Sequence, residues 1–412
     1  MLVSVAWSSL RSRRKSVILT FFSLLISISV LLSVEHIRQN AKESFNRTIS
    51  AVDIIVGAPS GQLNLLLYSV FRMGNPTNNI AYESFETLSK NQHVAWTIPI
   101  LLGDSHRGSR VMGTNENYFA HFKYANKQAL EFAAGVPFSK LFQAVIGADV
   151  AKQLKYQVGD EIVIAHGIGN VSFAKHDNTP FVISGILKAT GTPVDKTIHV
   201  SLNAIEAIHL SPSQQKKLLS DPTSVNLTPE SMTAVMLGLK SLMATFKLQR
   251  EINNYQKDQL MAILPGVAMT ELWQMMATVE NLLLVISILV LISSLFGLST
   301  MLLASMQQRK NEIAVLRVLG ASPSVIFALV LIEALLLIVL VIVAAIGLIS
   351  LTLTLSSDWL ASEYGLFLSG NLLSIDSLKV VAVIVVTSII TSLLPAIEAY
   401  KNALNVGLSS RC

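Results

Sequence analysis

Four long apolar runs interrupt a chain whose other residues mix apolar and polar positions at short range. The first, Val17 to Val34, reads VILTFFSLLISISVLLSV without a charge. As a helix it rises ~27 Å at ~1.5 Å per residue, just enough for a hydrocarbon layer of about 30 Å. Residues 281–305, 324–355 and 378–397 supply three more runs, with Glu333 the sole ionisable group in the third of the four. This pattern predicts a membrane-surface helix at 1–16, spans at 17–34, 281–305, 324–355 and 378–397, a link at 306–323, a loop at 356–377 and a tail at 398–412. The first span passes straight into Glu35, His36, Ile37 and Arg38 with no small-residue cleavage site, so a retained anchor is expected.

Residues 35–280 have a different texture. β-Branched runs bounded by Gly or Pro predict strands at Val52–Val56, Val94–Leu101, Val145–Ile146, Glu161–Ala165, Phe181–Leu187 and Thr197–Leu202. Helical spacing predicts helices over Arg38–Thr48 and over Ser231–Leu260, where Val235, Leu239, Leu242 and Phe246 recur at three and four. Leu63–Phe71 reads as a buried core helix, the alternative being a helix that touches the bilayer or a partner. The polar, proline-containing stretch Leu210–Pro229 reads as a surface connector. Such a segment is long enough for its own core and for two lobes. The expected fold is an integral membrane α-helical protein of four transmembrane helices, with a large mixed α/β periplasmic domain inserted between helices 1 and 2.

Composition narrows the function classes. The chain is 51% hydrophobic and 14% charged, against about 25% charged in soluble domains, which disfavours a soluble enzyme. Cys412 is the single cysteine, so a disulfide framework and multi-cysteine metal sites are excluded. Basic residues near the spans orient the chain: Arg11, Arg13, Arg14 and Lys15 precede the first span, and Arg309, Lys310 and Arg317 lie between the second and third. Retention of such residues on the inner side predicts cytoplasmic termini in a bacterial inner membrane. The formal net charge of +5 then reports topology and anionic lipid contact; nucleic acid is not an expected partner.

No GxxxxGK[ST], HExxH or GxSxG run occurs. The chain lacks a phosphate cradle of its own, so ATP and Mg would be bound by a partner and no cofactor is expected in this chain. The most informative stretch is the link Gln307 to Pro323, QQRKNEIAVLRVLGASP. As a helix it aligns Ile313, Leu316 and Leu319, puts Glu312 within reach of Arg309, and offers Gly320 where a left-handed residue ends a helix. Ser322 and Pro323 then open the next helix. A bland reading also fits, an amphipathic helix lying on an anionic membrane.

The run Arg309, Glu312-Ile313, Arg317, Leu319-Gly320-Ala321 and Glu333-Ala334 closely resembles the FtsX-like permeases of the MacB type, relatives of LolC and LolE. Ala6-Trp7-Ser8-Ser9-Leu10-Arg11 and Leu394-Pro395-Ala396 are similar to the opening and closing motifs of that family. One departure is Ser322-Pro323-Ser324 where members usually carry a basic cluster. The resemblance implies an ABC transporter permease paired with a second copy or a paralogue, and a separate ABC ATPase gripping Arg309, Glu312, Ile313, Leu316, Arg317 and Gly320 as a coupling helix. It further implies a MacB-like periplasmic domain that meets a periplasmic protein or adaptor, and ATP-driven mechanotransmission in which no substrate crosses the spans. A non-transporting activator of a periplasmic hydrolase is the rival within that family.

Two further constellations carry candidate chemistry. Glu333 lies about 15 Å along its span, with no base inside any span to pair it, which predicts a hydrogen-bonded packing group or a functional carboxylate. All eight histidines fall within residues 36–209. His166, His176 and Asp177 could meet across a glycine-rich hairpin and bind zinc, which would suit a metal-handling receptor instead.

Overall fold

The structure, a computed structural model, describes residues 2–167, 179–221, 225–308, 315, 317–318, 320–364 and 374–409. The chain divides into two compact units, one formed by Met1–Ala41, Ala277–Asp358 and Leu368–Cys412, the other by Lys42–Met276 and Trp359–Phe367.

Among the described residues four helices, which form most of the first unit, are long and apolar enough to cross a membrane: Arg14–Asn40, Pro265–Met306, Pro323–Ser356 and Ser377–Leu404. A short helix, Leu2–Ser12, precedes them. Leu24, Ile28, Leu295, Leu298, Ile338, Ile342 and Ile384 pack in their shared core. Polar side chains join that core where they find partners close by. Ser27 and Ser294 share a hydrogen bond of 2.5 Å, and Ser299 Oγ donates to the Thr391 carbonyl at 3.0 Å. With no water in the bilayer core, such groups turn inward to one another.

The second unit is mixed α/β. Its principal sheet has eleven strands among the described residues, and nine follow the order Met261–Ile263, Ile54–Gly57, Ala234–Leu239, Val94–His106, Ser109–Thr114, Thr197–Ser201, Gln143–Ile146, Phe181–Leu187 and Phe132–Gly135. The long strand Val94–His106 is the hinge of the design. Its first half pairs with Ala234–Leu239 in the register Ile98↔Met236, and its second half pairs with Ser109–Thr114 in the register Leu102↔Met112. Side-chain alternation then sends Ile55, Met236, Ile98, Met112 and Val145 to one continuous core. The opposite face carries two separate cores, one around Ile54, Val56, Val235 and Leu237, the other around Val111, Ile146, Ile183 and Ile198. The expected two lobes are therefore two cores on one face of a shared sheet.

Two local expectations are corrected. Ser231–Leu260 is not one helix: Ala234–Leu239 is a central strand, and the helix starts at Thr245 and ends at Asn253. All five residues from Ala234 to Gly238 are buried, so the apolar run is continuous and its spacing cannot separate strand from helix. The connector Leu210–Pro229 holds a helix, Pro212–Ser220, closed by a capping box in which Ser211 and Gln214 satisfy each other's backbone groups. Elsewhere Gln62–Ser69 is the buried core helix, with Leu65, Leu66 and Tyr68 fully enclosed.

Candidate functional site

In the link between the second and third spans, Val315, Arg317 and Val318 are helical. Gly320 follows with a positive φ of 94°, its N–H bonded to the Arg317 carbonyl at 3.0 Å. A side chain would be strained there, so glycine sets the corner. The next helix starts at Pro323, and the Ser322 carbonyl accepts from the Val325 and Ile326 amides. The Ser322 hydroxyl pairs with Ser324 Oγ at 2.7 Å. Arg317 Nη1 donates to the Ala321 carbonyl at 3.0 Å, which ties the guanidinium across the corner. Val315 and Val318 are 58% and 88% exposed. Arg309, Glu312, Ile313 and Leu316 lie outside the described residues.

Glu333 does have a base. Arg13, at the break between the first two helices, donates from Nη2 to Glu333 Oε2 at 2.9 Å, and the two side chains are 10% and 1% exposed. The expectation of an unmatched carboxylate considered only residues inside the spans. Arg13 stands four residues before Val17, and its stem reaches inward, as long cationic side chains do. Ser9 shares the same nitrogen, its Oγ accepting from Nη2 at 2.7 Å. Ser9, Arg13 and Glu333 thus join the short amino-terminal helix, the first span and the third.

On the second unit, an open groove of about 660 Å³ is lined by Tyr82, Phe85, Asn115, Glu116, Lys140 and Leu202, among others. Phe85 belongs to one of the two lobe cores, while Leu141, also in the lining, packs against the other. The groove therefore runs where the lobes part over the shared sheet. No sequence pattern pointed to it, because its walls come from well-separated segments.

The profile of the MacB-like periplasmic core domain matches residues 17–255, and that of the FtsX-like permease C-terminal domain matches residues 284–404. The chain belongs to the FtsX-like, MacB-family ABC transporter permeases. Among solved structures, the periplasmic region of MacB from Actinobacillus actinomycetemcomitans is similar at 10% identity, covering 55% of this chain and 94% of that one with a TM-score of 0.34. The extracellular domain of the noncanonic ABC-type transporter YknZ from Gram-positive bacteria is similar at 14% identity, covering 52% of this chain and 100% of that one with a TM-score of 0.30. No curated protein matches.

Among the described residues the histidines of this permease form no metal-holding group. The backbone of His166 pairs with that of Asp104 in a two-residue strand, while His176 and Asp177 lie outside the described residues. No group of three or more metal-ligating side chains occurs among the described residues. His106 has both ring nitrogens engaged, Nδ1 with the Val163 carbonyl at 2.6 Å and Nε2 with the Tyr156 hydroxyl at 2.9 Å. A carbonyl only accepts, so Nδ1 carries the proton and Nε2 accepts from Tyr156. Burial also lowers the His106 pKa. His199 is fully enclosed against Tyr118, ring centroids 4.9 Å apart. Burial, and then the neighbouring Arg72 charge, press its pKa down to about 3, and burial pushes the Tyr118 phenol up to about 12. None of these three groups lines the groove; all three are buried in the domain.

Proposed function

We propose that this permease works as one half of a dimeric ABC transporter, with a second copy or a paralogue, and that separate ATPase subunits binding ATP and Mg grip residues 306–323 from the cytoplasm. Both termini then lie in the cytoplasm of a bacterial inner membrane and the large domain in the periplasm. The observation that carries this reading is the exposure of Val315 and Val318 beside a tethered Arg317 at a glycine-set corner. Apolar side chains held out at the end of a span, next to a cation, suit the groove of a protein partner.

Force has a covalent route outward. The helices Arg14–Arg47 and Pro265–Gln308 each continue beyond their membrane segments without a break. A tilt imposed at the link is carried along them to the periplasmic domain. Among the described residues the buried carboxylates of the spans, Glu333 and Glu35, are already paired with Arg13 and Arg38, which offers little to a polar solute in transit. The work is therefore done on the outer side, as extraction or export of a lipoprotein, peptide or small molecule, with the 660 Å³ groove available to cargo or to an adaptor protein.

Co-purification tests this directly. The tagged permease should retain a P-loop ATPase, and Val318→Glu should release it while the permease stays folded. Retention of no ATPase by the wild type, or undiminished retention by Val318→Glu, contradicts the proposal.

A further inference from the structure

A second cavity, of about 500 Å³, lies within the membrane unit between the first and second spans. Its lining is unusual for a surface facing lipid tails. Ser16, Thr20 and Ser23 follow one another at helical spacing on the first span, and Ser294, Gly297 and Ser305 stand on the second. Arg13 closes one end. Two polar atoms of this lining, Arg13 Nη1 and Ser305 Oγ, are buried without a hydrogen-bond partner among the described residues. The Arg13 side chain is nine-tenths buried, and its other terminal nitrogen is already taken by Ser9 and Glu333. A buried donor of this kind is costly unless something accepts from it.

We propose that the cavity seats one anionic phospholipid, its phosphate accepting from Arg13 Nη1 and its glycerol lying along the hydroxyls of Ser16 and Thr20. Guanidinium geometry matches phosphate oxygens, and one face of Arg13 remains free after the Glu333 bond. Local charge selects the headgroup. Arg11, Arg14 and Lys15 flank Arg13 in the sequence, and Glu333 is the acid that Arg13 pairs with, so this stretch stays cationic after the internal pair is formed. Arg13 precedes the first apolar residue of the span by four positions, which is headgroup depth. Leu19 and Met301 also line the cavity and supply apolar wall for the start of an acyl chain. That apolar continuation favours a lipid over a free phosphate ion.

Gly297 gives a clean test. A Cβ added there meets no atom within 4 Å, so Gly297→Leu fills the groove without disturbing the Arg13–Glu333 pair. Full-length protein in mild detergent, examined by native mass spectrometry with added phosphatidylglycerol or phosphatidylcholine, should hold one phosphatidylglycerol per chain. Phosphatidylcholine should be held about tenfold less well, excess inorganic phosphate should not displace the lipid, and both Gly297→Leu and Thr20→Leu should lose it by about tenfold with unchanged melting. The proposal is overturned if wild type holds both lipids equally or holds none, if phosphate displaces the lipid, or if both filled variants retain it. Ready disulfide formation between Gly297→Cys copies on a Cys412→Ser background would also overturn it, assigning the groove to a second copy.

Discussion

The two units of this permease use opposite codes for inside and outside. In the periplasmic domain the apolar side chains of the sheet are buried: Ile54, Ile55, Ile98 and Val235 have no exposed surface. In the membrane unit apolar character says little about burial. Leu289 is 60% exposed, while Ser27, Ser287, Ser299, Ser392 and Glu333 are buried. Water drives apolar groups together in one unit, whereas lipid accepts them in the other and leaves polar groups to find partners. The membrane unit is thus specified by its few polar side chains, and the periplasmic domain by its many apolar ones.

The largest expected effect breaks the polar code. Arg13→Leu removes the ion pair of the buried Glu333 carboxylate, and should cost about 3–5 kcal/mol of stability in detergent. Combining Arg13→Leu with Glu333→Leu should recover much of the loss, and a single variant that melts like wild type would show the pair to be dispensable. In the periplasmic domain, Ile98→Ala removes a side chain from the continuous core and should cost about 2–5 kcal/mol by chemical denaturation.

A pH titration separates the units further. His199 has a folded pKa of about 3 against an ordinary value of 6.5. Below pH 6.5 the unfolded chain takes up a proton that the folded chain refuses. Periplasmic-domain stability is therefore full above that value and falls as pH drops toward about 3, at up to about 1.4 kcal/mol per pH unit. His199→Leu should flatten that slope; an unchanged slope would place the titrating group elsewhere. The smallest effect belongs to Leu289→Ala, on the lipid-facing side, expected within about 0.5 kcal/mol of wild type. A larger loss would reveal a protein partner on that face.

The same contrast explains what was legible in the sequence. Span helices announced themselves by length, and strands such as Phe181–Leu187 by β-branched runs between turn residues. Ala234–Leu239 was misread because a strand buried on both faces has no period of two to detect. The Arg13–Glu333 pair was missed because 320 residues separate its members and the base lies outside any span. The groove on the shared sheet has no local signature at all, since the long strand Val94–His106 and its neighbours assemble it from separated segments. In the link, the Gly320 corner could be read from residue type, whereas the hydroxyl pairing of Ser322 with Ser324 could not.

The central claim, that the link at 306–323 faces the cytoplasm and is held there by an ATPase, is tested most directly at Val318. With Cys412→Ser as background, Val318→Cys is exposed to a membrane-impermeant maleimide in intact spheroplasts and in inside-out vesicles. The account predicts labelling only in the vesicles, reduced when the ATPase subunit is bound. Labelling from outside in intact spheroplasts would contradict it.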